Sequence, residues 1–324
     1  MTVEIPKEKY SGSVRVVTLG ATADEGGTRK STLTIGGETA MPFMQHEGEM
    51  PNPPSLALEI RDRKPDDWSE LLIETWGDAI DDPGIWAKAA EEAGADMLYL
   101  RLSATTADGE ANTPENAKKV VRQVLEATGL PLAVIGPGQV DLDNELIVAA
   151  AEEGKGERLL LGLCEENNYR TIVAAALAHD HLVQSKTPMD VNLSKQLVIL
   201  INDMGLPLER IVMDPTTGAL GYGIEYGYSV MERLRMAALG GDAMTQQPMI
   251  VTPGEETWKV KESKVGKGVP ETWGDWKQRA LDWEAITATA IIHSGADLVV
   301  LRHPDSLKRI RSLIDNLTQT QAAK

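Results

Sequence analysis

The chain has 324 residues, is 42% hydrophobic and 25% charged, and carries a formal net charge of -17. That length suits one large α/β domain or two ordinary ones, and the acidity argues against nucleic acid or an anionic membrane surface as partner, since either needs a basic face. The single cysteine, Cys164, excludes an internal disulfide and any cysteine-rich zinc or iron–sulfur site built from this chain alone.

No apolar run is long enough to span a bilayer, and the opening MTVEIPKEKY has no signal-peptide core, so a cytoplasmic protein is expected. Residues 1–54 read as a β-rich extension. SVRVVTLG (13–20) and STLTIGG (31–37) alternate as strands around a Gly/Asp/Thr loop, and MPNPP (50–54) marks a boundary.

From residue 55 to 324 a strand–loop–helix unit recurs. Eight apolar runs read as strands buried on both faces: LALEI (56–60), DMLYLRL (96–102), PLAVIG (131–136), RLLLGLC (158–164), HLVQS (181–185), RIVMD (210–214), PMIVT (248–252) and DLVVLR (297–302). None of these runs contains a lysine. Between them, Asp82-Pro83 starts a helix that Gly94 stops. Thr113-Pro114 starts another, with a stripe of Ala117, Val120, Val121, Val124 and Leu125, which Gly129 ends. GADMLYLR (94–101) nearly repeats as GADLVVLR (295–302), and GLPL occurs at 129–132 and 205–208. Eight such units with recurring junctions predict a (β/α)₈ TIM barrel rather than an open doubly wound sheet.

In that fold the working residues stand at the C-terminal ends of the strands. The sixth end opens into DPTTGALGYGIEYG (214–227), too glycine-rich for a helix interior and too long for a tight turn. Glu165-Glu166 are adjacent, and a solvated or helix-starting role is expected of them rather than a converging acid/base pair. His179 and His181 fall at a helix-to-strand junction below the barrel, where a solvated loop is expected rather than a metal site. His303 is at the top and reads equally as a stacked loop residue or a functional one. Cys164 reads as a small buried hydrophobe. The residues alone therefore stop at a barrel with a glycine-rich, polar rim.

Four segments carry a resemblance. TRKSTLTIGGETAMPF…EGEMPNPP (28–54), LLLGLCEENNY (159–169), DPTTGALGYGIEYGYSVMERLR (214–235) and EAITATAIIHSGADLVVLRHPD (284–305) resemble the small subunit of the corrinoid iron–sulfur protein of the reductive acetyl-CoA pathway. The resemblance runs from about residue 14 to the C-terminus and is weakest over 256–275. It implies a heterodimer with a large subunit that carries the iron–sulfur cluster and the cobalamin domain. The complex carries a methyl group from methyltetrahydrofolate, on a separate methyltransferase, to acetyl-CoA synthase.

By the same resemblance this chain covers the upper face of the corrin, without independent catalysis and without a metal or cluster of its own. The rim residues expected to meet cobalamin are Thr216, Thr217, Gly218, Leu220, Gly221, Tyr222 and Gly223, with Asn167, Thr252, Gly254, Arg302 and His303. Two alternatives stay open. One is a pterin-dependent methyltransferase using Asp62, Asn167, Asn168 and Asp214. The other is a lyase resting on Lys186, just beyond the fifth strand. The β layer and the tryptophans at 258, 273, 276 and 283 read either as a partner interface or as packing of the last helices.

Overall fold

The computed structural model describes residues 5–319. A two-stranded antiparallel sheet, β1 (Val17–Leu19) and β2 (Leu33–Ile35), precedes a closed parallel barrel. The barrel strands are β3 (Ser55–Arg61), β4 (Met97–Arg101), β5 (Leu132–Ile135), β6 (Leu160–Cys164), β7 (Leu182–Lys186), β8 (Ile211–Asp214), β9 (Met249–Val251) and β10 (Ala296–Leu301). They pair in chain order and β10 closes on β3. All eight expected runs are strands, so the predicted TIM barrel is the observed fold. One detail differs. The fifth barrel strand continues to Lys186, because Lys186 pairs with Asp214 of the next strand, so a lysine does stand in the barrel wall.

The helices are α1 (Glu70–Trp76), α2 (Pro83–Glu92), α3 (Pro114–Ala127), α4 (Val140–Glu153), α5 (Tyr169–His179), α6 (Val191–Asp203), α7 (Ile224–Leu239), α8 (Pro253–Thr257), α9 (Lys261–Lys264), α10 (Trp276–His293) and α11 (Pro304–Gln319). Asp82 accepts from the amides of Gly84 and Ile85, both at 2.9 Å, and Thr113 accepts from Asn116 at 3.2 Å, so both predicted N-caps form. α3 ends at Ala127, two residues before Gly129, because Thr128 already turns to extended backbone. Among the described residues no helix is long and apolar enough to cross a membrane.

Successive strand residues point alternately to the helices and to the barrel axis. The axial set includes Ala57, Met97, Tyr99, Ala133, Leu160, Leu182, Val212, Ile250 and Leu298, and it packs against Val17, Leu19 and Ile35. The N-terminal hairpin is therefore the floor of the barrel. Arg29 pins it there from a buried position, donating to Glu157 at 2.8 Å and to the carbonyls of Thr128 and Leu125, both at 2.8 Å. Each of those carbonyls lies at or near the C-terminal end of α3, where orphan acceptors are expected.

At the same end of the barrel, His181 departs from the expected solvated loop. It is fully buried, accepts from the Leu159 amide through Nδ1 at 3.1 Å, and donates through Nε2 to Ala151 at 2.9 Å. Burial pushes its pKa down to about 4. The ring is a neutral strut between β6, β7 and α4.

Candidate functional site

At the opposite end, polar side chains replace the axial hydrophobic layer. Tyr99 of β4 and Gln184 of β7 bond each other across the axis at 3.1–3.2 Å, and Gln184 Nε2 donates to Asp214 Oδ2 at 2.7 Å. Above them the same inward positions carry Glu59 (β3), Arg101 (β4) and Lys186 (β7), with Arg302 following β10 and Glu165 following β6. Glu59 receives a fork from Arg302 (2.8 and 3.0 Å) and a third bond from Arg61 (3.1 Å). Arg101 reaches Glu255 of α8 at 2.5 Å.

These pairs are out of water: side-chain exposure is 1% for Glu59, 2% for Arg302, 11% for Arg101 and 15% for Glu255. Burial opposes ionisation of Glu59, but the guanidiniums of Arg302, Arg61 and Arg101 outweigh it and hold its pKa below the usual range. Burial likewise opposes ionisation of Glu255, which Arg101 and Lys259 hold far lower. The centre of the mouth is thus sealed by its own ion pairs, which the strand pattern alone did not announce. Reading period two within the expected strands, from Ala57 to Glu59 and from Tyr99 to Arg101, would have found both.

The loop after β8 rises beside this seal. Asp214 Oδ1 accepts from the Thr216 amide at 3.0 Å, Thr216 takes φ +63°, and its hydroxyl donates to the Thr187 carbonyl at 2.6 Å. Thr217 Oγ1 accepts from the Thr252 amide at 2.9 Å, tying this loop to the next strand. The chain then turns back at once, with Tyr222 N donating to Ala219 O at 2.8 Å. A Cβ on Gly218 would lie 2.4 Å from the Gly223 backbone, so only glycine allows this closure. The loop ends at Gly223 and α7 starts at Ile224; the last four residues of the stretch read as loop are helical, with Gly227 buried in the helix.

The expected rim residues fall into two groups. Asn167, Gly221 and Tyr222 are exposed, and Thr216, Leu220 and Gly223 are half-buried, so these face the solvent above the barrel. Thr217, Gly218, Thr252, Gly254, Arg302 and His303 are buried. A Cβ on Gly254 would lie 2.7 Å from the Arg302 amide, so Gly254 lets α8 pack on β10. His303 shows no exposure. It stacks on Trp258 at 6.0 Å between centroids, accepts from the Asp305 amide and bonds Thr75 Oγ1 at 3.0 Å. Burial pushes its pKa down to about 4. Cys164 is buried and burial raises its thiol pKa. The imidazole and the thiol nearest the rim are therefore both sealed from it. Among the described residues, no group of three or more His, Cys, Asp or Glu is placed to hold a metal ion.

Three hydrogen bonds fasten the loop tip, two to α10 and one to α9 before it. Trp283 Nε1 donates to the Leu220 carbonyl at 3.0 Å, the Leu220 amide donates to Thr287 at 3.2 Å, and Tyr222 Oη donates to Glu262 at 3.0 Å. Trp283 thereby serves the rim, while Trp258 packs in the core and Trp276 bonds the Ser263 carbonyl at 2.7 Å. Beside the mouth, between the ends of β6 and β7 and the flank of α6, a cleft of about 510 Å³ is lined by Glu165, Asn167, Lys186, Leu193, Leu197 and Leu200 among others. That volume is in the usual range for a small-molecule site.

Solved structures of similar fold include dihydropteroate synthases. One from Xanthomonas albilineans aligns with TM-score 0.54 at 16% identity, covering 87% of this chain and 98% of that one. Another, from Thermus thermophilus, aligns with TM-score 0.53 at 16% identity over 86% and 98%. In sequence, the acetyl-CoA decarbonylase/synthase complex subunit delta of Methanosarcina mazei is 35% identical over 318 residues, 96% of this chain and 72% of that protein. The subunit of the same name from Methanopyrus kandleri is 36% identical over 310 residues, 95% and 76%. Residues 16–319 match the family described as CO dehydrogenase/acetyl-CoA synthase delta subunit, and the chain belongs to that family.

Proposed function

We propose that this chain is a subunit of a methyl-carrying complex of acetyl-CoA metabolism, in which its barrel rim caps a corrinoid held by a larger subunit. A separate methyltransferase using methyltetrahydrofolate and an acetyl-CoA synthase would be its transient partners, and the iron–sulfur cluster would sit on the large subunit. The observation that carries the reading is the contrast on the rim. The charged mouth is closed on itself by the pairs at Glu59 and Arg101, whereas the loop beside it presents Tyr222 at 54% exposure and the first turn of α7 presents Tyr226 at 65%.

The donor set suits such a group. A corrin offers an apolar, nearly flat face edged with amides. Leu220, Ile224 and the two tyrosine rings supply apolar area, and the Thr216 and Tyr222 hydroxyls supply weak polar contacts. With His303 and Cys164 sealed, the rim presents a facing cobalt with neither imidazole nor thiolate. When bound, the corrinoid supplies the cobalt that accepts and gives up the methyl group. This chain's residues exclude water from that face and give way when a donor or acceptor arrives.

Substituting Tyr222→Ala and Gly221→Val in the assembled complex tests this. Corrinoid retention and methyl-transfer rate should both change; unchanged values in both would remove the loop from the cap. The second reading is a barrel that takes a pterin directly. Asp62 is the carboxyl that would serve it, standing just past β3 at the mouth, where an ionised carboxylate could accept from the N–H edge of a pterin. Asp62 is, however, already engaged by the Ser103 amide and hydroxyl and by Asn112, at 2.6–3.0 Å.

A further inference from the structure

The ring of inward side chains at the mouth leaves two members unmatched. Glu59 is shared by Arg61 and Arg302, Arg101 holds Glu255, and Asp214 takes Gln184 and the Thr216 amide. Lys186 and Glu165 are different. Among the described residues, neither side chain makes a hydrogen bond or an ion pair, although each lies within electrostatic reach of the other. The strand register sets Cys164 opposite Ser185, so Glu165 and Lys186 leave adjacent strands side by side. Both are half-buried and both line the 510 Å³ cleft, whose far wall is Leu193, Leu197 and Leu200 and whose entrance holds the exposed amide of Asn167.

Neither the Glu165 carboxylate nor the Lys186 ammonium is cut off from solvent, so in the open cleft water serves both, and a ligand that enters must offer each a replacement bond. The ligand chemistry follows from the pair. An anion would satisfy Lys186 but meet Glu165, and a cation would do the reverse. A planar amide satisfies both, with its carbonyl accepting from the ammonium and its N–H donating to the carboxylate. The leucine wall then takes the apolar frame that carries the amide. We propose that Glu165 and Lys186 form a clamp for an amide edge, occupied in the complex by a peripheral carboxamide of the corrinoid. This rests on the capping reading above. The lactam edge of a pterin shares the same chemistry, so the test separates the two sources.

The test uses Lys186→Met, Glu165→Gln and the double variant in the complex with the corrin-bearing partner. Corrinoid loss into excess apo-acceptor is followed by visible absorbance, and thermal melts check the fold. Each single variant should speed corrinoid loss about tenfold, the usual effect of removing a bond to a charged group. The double variant should add little more, because one amide bridges both groups. Unchanged rates in a complex that still holds corrinoid would overturn the clamp and leave the cap standing. A wild-type complex that holds no corrinoid would overturn the capping reading and the clamp with it. In a parallel arm, methyltetrahydrofolate is titrated into the full chain and read by tryptophan fluorescence. Binding that Lys186→Met abolishes would assign the clamp to a pterin and overturn the corrinoid assignment.

Discussion

Trp283 Nε1 donates to the carbonyl of Leu220 at 3.0 Å, so helix α10 holds the tip of the loop that rises beside the mouth. Thr287, one turn further along that helix, takes the Leu220 amide, and Glu262 takes the Tyr222 hydroxyl. The loop and the segment that follows β9 are therefore mechanically joined. Opening one requires breaking these bonds or moving both.

Replacing Trp283 by Phe keeps the ring packing and removes one bond to the loop. We expect a stability loss of about 1 kcal/mol. Amide hydrogen exchange at residues 218–223 should rise well above that of the rest of the rim.

Glycines at 218 and 221 should differ when each becomes alanine. At 218 the new methyl would sit 2.4 Å from the Gly223 backbone, forcing the loop apart. At 221 nothing lies within 4 Å, and the cost is only that of an alanine at φ +77°. Urea melts should show about 1–3 kcal/mol for Gly218→Ala and about 1–2 kcal/mol for Gly221→Ala. Only the former should disturb the exchange of Tyr222.

Glu59→Ala leaves Arg302 and Arg61 facing a vacated, buried carboxylate site. A loss of about 3–5 kcal/mol is expected for breaking a buried pair from one side, measured by denaturant unfolding. Because the guanidiniums depress the folded pKa of Glu59, its contribution is present above the unfolded carboxylate range and is lost as pH falls through the folded value.

His181 and His303 give stability the same sense in a higher window. Both fold neutral with pKa values near 4 against an ordinary 6.5, so between those values the unfolded chain binds more protons. Stability should be full above about pH 6.5 and decline toward pH 4. His181→Gln should flatten part of that decline in unfolding free energies measured across the range. A slope unchanged by the substitution would show that His181 is not buried neutral.

The eight strands were legible because parallel strands buried on both faces are unbroken apolar runs, and the helix starts were legible in Asp82-Pro83 and Thr113-Pro114. Three things were not. Lys186 looked like the first residue after a strand, since a charge ends an apolar run, whereas the barrel mouth is where inward charges are tolerated. His181 looked solvated because nothing local announces that a histidine will bond the Leu159 amide from a neighbouring strand. Arg302 and His303 looked like rim surface because strand ends are; their burial comes from α1, α8 and α10 closing over them, and from Glu59, 243 residues away in the chain. The loop's glycines were conspicuous, yet at Gly218 the glycine serves the loop's own closure and not a ligand.

The capping claim is tested most directly by isolating this chain anaerobically from its native source, with cobalt and iron assays and a visible spectrum. The account expects a one-to-one complex with a larger chain, containing corrinoid cobalt and iron–sulfur absorption that stay with the partner when the two are separated. A chain that isolates alone, without cobalt, and binds methyltetrahydrofolate by itself would contradict it.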